Sequence, residues 1–155
     1  MYDAILIPTD GSEVSLRAAE HGLDVAGTFG ATVHVVYVVD ARAYQSFDVP
    51  TGMIVGSLER EGRGAIESVT ERARAASVDV VDAIRKGPPP KAICDYAAEN
   101  DVDLIVMGTH GRTGVDRFLL GSVTEGVIRE ADAPVLTVRE RGPDASAASS
   151  APSDA

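Results

Sequence analysis

Five short apolar runs recur along this chain, and each is followed or preceded by a segment with helical periodicity. The runs are Ala4 to Pro8, Thr32 to Val39, Val78 to Ile84, Leu104 to Met107 and Val135 to Arg139. They are too short for helices and are rich in valine and isoleucine, so they read as strands covered on both faces. Between them, Leu16, Ala19, Leu23 and Ala26 repeat at helical spacing from Glu13 to about Thr28, with Ser12 placed as a cap and Gly30 as a stop. Ile66, Val69, Ala73 and Ala76 do the same in a helix expected over Ser57 to Ala76. A third helix is expected over Lys91 to Glu99, entered through Pro88, Pro89 and Pro90, because proline is tolerated in a first turn. A fourth is expected over Val123 to Ala131. Residues 41 to 56, with Pro50, Gly52 and Gly56, show no clean period and read as a loop that partly covers the functional site. Such alternation predicts a single-domain α/β fold: an open parallel five-stranded sheet with helices on both faces, Rossmann-like in architecture.

The fourth run carries the chemistry. Leu104 to Met107 ends abruptly at Gly108, and Gly111, Gly114 and Gly121 follow in a glycine-rich loop. Ser122 and Glu125 then form a Ser-x-x-Glu pair that reads as a capping box at the start of the fourth helix. Strand, glycine loop and helix start together make an anion site, since backbone N–H groups can approach an anion and the helix adds unpaired donors and a positive dipole end. The loop is not a Walker A motif, because no Gly-Lys-Ser/Thr follows. It is not a dinucleotide fingerprint either, because no Gly-x-Gly-x-x-Gly occurs.

The spacing Gly108-x-x-Gly111, nine residues, then Gly121 and Ser122 resembles the nucleotide-binding pattern of the universal stress protein family. Three more stretches resemble that family in the same order: Ile5 to Asp10, Val35 to Asp40 and Ala133 to Val138. The resemblance covers roughly residues 2 to 140 and implies the strand order 3-2-1-4-5. That order places the first and fourth strands side by side at a topological switch point, with Asp10 and Gly108 at their carboxyl ends.

Site residues are expected on that basis. The N–H groups of Gly111, Gly121, Ser122 and Val123, with the Ser122 hydroxyl, are phosphate candidates; Ser122 would also cap the helix. Thr124 could add a hydroxyl or be an exposed helix residue. Arg112 could reach a phosphate or stay solvated. Asp10 could accept from a ribose hydroxyl, help hold Mg²⁺ through water, or serve as a helix-entry carboxylate. The resemblance implies a ligand contact for Asp10, the backbone of Val38 against the adenine edge, and Pro8, Thr9, Met107 and Gly108 along base and sugar. His110 could assist a water or contact phosphate, but no acidic partner is recognisable beside it. Cys94 is expected to be buried and inert on the third helix.

Charge narrows the partners. The 155 residues carry a net charge of −10, from 24 acidic and 14 basic residues, and the only lysines are Lys86 and Lys91. Such a surface suits a high-salt cytoplasm. It has no basic stripe for nucleic acid. No apolar stretch is long enough for a membrane helix and no secretory signal is visible, so the cytoplasm is the expected compartment. Residues 142–155, rich in Ala, Ser, Pro and Asp, read as a disordered tail after a domain of residues 1–141. The leading expectation is an ATP- or AMP-binding stress-response protein, a homodimeric binding module or switch paired through strand 134–139. The alternatives are a slow ATP hydrolase or nucleotidyl transferase on the same site, and a structural dimer that binds no nucleotide.

Overall fold

The computed structural model describes residues 1–44, 50–111 and 120–140. Five strands form one sheet: β1 (Ala4–Pro8), β2 (Thr32–Val39), β3 (Val80–Lys86), β4 (Leu104–Gly108) and β5 (Val135–Val138). Their order is β3-β2-β1-β4-β5, and every pairing is parallel. Among the described residues, four α-helices connect them: α1 (Glu13–Phe29), α2 (Thr51–Ala75), α3 (Pro89–Glu99) and α4 (Ser122–Glu130).

The apolar runs form strands because both their faces are covered. Ile5, Leu6 and Ile7 are each 0% exposed. Ile5 and Ile7 point into a core shared with α1 and α2, while Leu6 points into a second core shared with α3. Full burial of such side chains contributes roughly 1.5–3 kcal/mol each. A central strand with no polar face therefore stays inside a two-sided sheet.

Three helices end alike. Gly30, Ser77 and Asp101 take positive φ, and the next residue donates its N–H back to Ala26, Ala73 and Ala97 respectively. These are Schellman endings, each tucking a buried Ala31, Val78 or Val102 against the helix. The second corrects the third strand: Val78 belongs to the helix ending, so β3 begins at Val80. Ala76 is the exposed C-cap of α2 and does not face inward. The expected loop at 41–56 is also corrected. Ala41–Tyr44 forms a 3₁₀ turn, and α2 starts at Thr51, six residues before Ser57. Pro50 begins the helix by accepting the N–H groups of Met53 and Ile54, and exposed Gly52 is tolerated one position after the helix start. Residues 45–49 of that loop and the tail from 142 lie outside the described residues.

Candidate functional site

β1 and β4 lie side by side, and the chain leaves them toward opposite sides of the sheet. A cavity of about 390 Å³ opens at their carboxyl ends, a size typical of a small-molecule site. Pro8, Thr9, Asp10, Val38, Met107, Gly108, Gly111, Gly121, Ser122, Val123 and Thr124 all line it. Arg112 lies outside the described residues. Ser15, Val36, Pro89 and Ile93 line it as well, and the sequence reading does not find them. The signal for each is periodic. Val36 shares a strand face with Val38, Ser15 follows the Ser12 cap by three residues, and Pro89 and Ile93 are one helical turn apart.

The α4 entrance differs from the expected capping box. Gly121 is the N-cap, with φ −64° and ψ 154° and no side-chain cap, and Ser122 is the first helical residue. A hydroxyl inside the helix does not close back on the N–H groups as an N-cap does. The Glu125 carboxylate is held by Arg129 at 2.6 Å instead. The first intrahelical bond runs from Glu125 N–H to Gly121 O at 3.0 Å. The N–H groups of Ser122, Val123 and Thr124 therefore precede the ladder, at the positive end of the helix. Gly121 is a second correction, because its N–H donates to Thr109 O at 2.7 Å and is already committed.

The glycines answer to the protein as well as to any ligand. A Cβ on Gly108 would stand 2.9 Å from a Val14 methyl and 3.2 Å from His110 O. On Gly121 it would stand 3.0 Å from the His110 Cα. Thr124 is neither exposed nor a free donor: it is 3% exposed, and its hydroxyl donates to Gly108 O at 2.8 Å. The end of β4 is thus tied to the first turn of α4.

The β1 side is ordered by a chain of hydroxyls. Ser15 Oγ donates to Ser12 O at 2.8 Å, so the 3.2 Å contact between Thr9 Oγ1 and Ser15 Oγ takes the Thr9 proton. Thr9 Oγ1 in turn accepts from Gly11 N–H at 3.2 Å. Asp10 Oδ1 accepts from Ser12 N–H at 2.9 Å, a helix-entry role that leaves the carboxylate on the cavity lining. Thr9, Asp10 and Ser15 thus bring oxygens that act as acceptors within the protein to the cavity lining, whereas the α4 end brings N–H donors. Adjacent apolar lining comes from Val36, Val38, Ile93 and Met107.

His110 gains the acidic partner that the sequence did not reveal. Its Nε2 lies 3.2 Å from Glu140 Oε2, just past β5, and its Nδ1 lies 3.2 Å from Thr109 Oγ1. Among the described residues, no group of three His, Cys, Asp or Glu side chains could hold a metal ion. Cys94 is only half-buried; burial, and then Glu130, Asp95 and Asp132, push its thiol upward and away from thiolate reactivity. No helix among the described residues is long and apolar enough to cross a membrane.

Comparison with known proteins follows the same outline. The universal stress protein family model matches residues 1–139. Universal stress protein MJ0531 of Methanocaldococcus jannaschii is 41% identical over 142 residues, covering 90% of this chain and 84% of that protein. The solved structure of MJ0577, from the same organism, is similar with a TM-score of 0.80 at 33% identity, covering 92% of this chain and 99% of that one. A universal stress protein crystallised in complex with cAMP is similar with a TM-score of 0.70 at 28% identity, covering 90% and 99%.

Proposed function

This chain belongs to the universal stress protein family, and from that premise we propose that its cavity binds an adenine nucleotide, ATP or AMP. One observation carries the reading. A single cavity joins an apolar lining, an acceptor set and the donor-rich start of α4. Val36, Val38, Ile93 and Met107 suit a base, Asp10 and Thr9 suit ribose hydroxyls, and the Ser122 and Val123 N–H groups suit phosphate. The relative crystallised with cAMP supports an adenine-nucleotide ligand. Phosphate chemistry would fall at the α4 end, where charge is favoured by the helix dipole and by N–H groups outside the helical ladder. Mg²⁺, where it takes part, would be held chiefly by the nucleotide, with Asp10 reaching it through water.

The protein acts as a binding module or switch in a stress response, cytoplasmic and homodimeric through β5. Both imidazole nitrogens of His110 already face partners, which favours binding over base-assisted hydrolysis. The test is mass spectrometry of small molecules released from freshly purified, denatured protein, followed by titration of ATP-Mg²⁺ and of inorganic phosphate. A co-purifying adenine nucleotide and micromolar ATP binding are expected. No nucleotide on release, together with equal response to phosphate and ATP, would overturn the reading.

A further inference from the structure

The sequence shows no acidic partner beside His110, because Glu140 lies 30 residues away. We infer that His110 and Glu140 are positioning residues that clamp the anion-binding end of the cavity onto the last strand and so set its affinity for phosphate. The inference rests on the nucleotide reading above and adds a residue pair to it.

Three contacts converge on residues 109 and 110. Thr109 N–H donates to Val138 O at 3.0 Å, extending the β4–β5 ladder by one rung past the end of the strand. Thr109 O accepts the Gly121 N–H at 2.7 Å. The His110 Cα sits where a Gly121 side chain would have to go, 3.0 Å from the ideal Cβ. The backbone of residues 109 and 110 therefore fixes the N-cap of α4, and with it the N–H groups of Ser122 and Val123.

The imidazole supplies the remaining constraint. It is 8% exposed and lines the cavity, held on one side by the Thr109 hydroxyl and on the other by Glu140. With Nε2–H donating to Glu140, Nδ1 accepts from Thr109, so one tautomer satisfies both contacts. The Glu140 side chain is 56% exposed and belongs to neither core cluster. Its contact with His110 joins the loop after β4 to the segment after β5.

Donors pre-aimed at an anion bind it more strongly than donors that must first be ordered. The clamp acts on α4 and leaves Val36, Val38 and Ile93 alone. It should therefore bear on phosphate and not on nucleoside.

Titrating ATP-Mg²⁺ and adenosine into wild type, Glu140→Ala and Glu140→Gln tests this. Glu140→Ala should weaken ATP about tenfold, the worth of one hydrogen bond, with adenosine within about twofold. Glu140→Gln keeps an acceptor at the same reach and should restore most of the ATP affinity. Unchanged ATP binding in Glu140→Ala, or equal loss of ATP and adenosine, would overturn the clamp. The imidazole gives a readout that needs no ligand. Nitrogen-15 spectra should show the Nε2–H tautomer of His110 in wild type and its loss, with faster amide exchange at His110 and Gly111, in Glu140→Ala. If wild type binds neither ligand, the nucleotide reading fails, and these spectra decide whether the clamp exists: an unaltered tautomer and unaltered exchange would overturn it.

Discussion

A Cβ built on Gly111 stands 2.5 Å from Oδ2 of Asp10. The end of β1 and the loop after β4 thus touch across the switch point, and a glycine is needed for the carboxylate to lie there. Gly111→Ala should force the carboxylate to turn, disturbing the Ser12 N–H to Oδ1 bond, for a loss of about 1 kcal/mol. In an Asp10→Ala background the same substitution should cost much less. A double-mutant cycle by denaturant unfolding measures the difference, and purely additive effects would show that the two residues do not meet.

Ser122 and Gly121 should separate binding from folding. Ser122 is exposed at the first helical position, so Ser122→Ala should leave the melting temperature nearly unchanged. If its hydroxyl meets a phosphate, ATP should weaken about 10- to 150-fold. Gly121 is buried against the His110 backbone, so Gly121→Val should lower the melting temperature as well as affinity. Paired calorimetry and thermal melts resolve the two. A stable Gly121→Val with full ATP affinity would contradict the packing described.

Acid should release the start of β1. The Asp103 carboxylate accepts the N–H groups of Asp3 at 2.7 Å and Ala4 at 2.9 Å, and these bonds hold its pKa below the ordinary 3.8. A carboxyl depressed in the folded state stabilises it above the unfolded pKa, and that contribution is lost as pH falls through the folded pKa. Asp103→Asn should therefore cost most at neutral pH, and the gap to wild type should narrow below about pH 4. Melts from pH 7 to pH 3 read this directly; a gap that widens in acid would reverse the sign.

If two copies pair through β5 as proposed, one residue of that strand is specifically vulnerable. Ile105 N–H donates to Pro134 O and Thr109 N–H to Val138 O, so the alternate residues 134, 136 and 138 face β4. Val135 and Thr137 then turn their N–H groups to the open edge. Thr137→Pro should convert a homodimer to a monomer that keeps its fold, whereas Leu136→Pro should damage the sheet. Sedimentation with circular dichroism on both variants tells the cases apart. A wild-type monomer, or a Thr137→Pro dimer, would remove β5 as the interface.

Local pattern made the strands, α1 and most of the cavity lining legible. Apolar runs between helical segments have few ways to be buried, and residues 108, 111 and 121 announce a close approach of backbone. What stayed hidden depends on contacts between distant segments. Nothing near His110 signals Glu140, nor does anything near Thr124 reveal that Gly108 O will take its proton. Ser122 departs from the pattern for a different reason. Ser-x-x-Glu satisfies the cap pattern, but the bond between Gly121 and Thr109 starts the helix one residue earlier. Val78 reads as strand in the sequence because a left-handed serine at position 77 leaves no compositional trace.

The two rims of the sheet are unequal. β3 carries Asp82, Arg85 and Lys86, all exposed, with Lys86 paired to Glu59 at 3.1 Å, whereas β5 offers only Val135, Leu136, Thr137 and Val138. Charged side chains on a rim discourage a further strand from docking. Two copies joined at β5 would form a continuous ten-stranded sheet, five from each, whose remaining ends are both charged β3 strands. Growth would stop there, and the same surface that invites a second copy would leave none for a third.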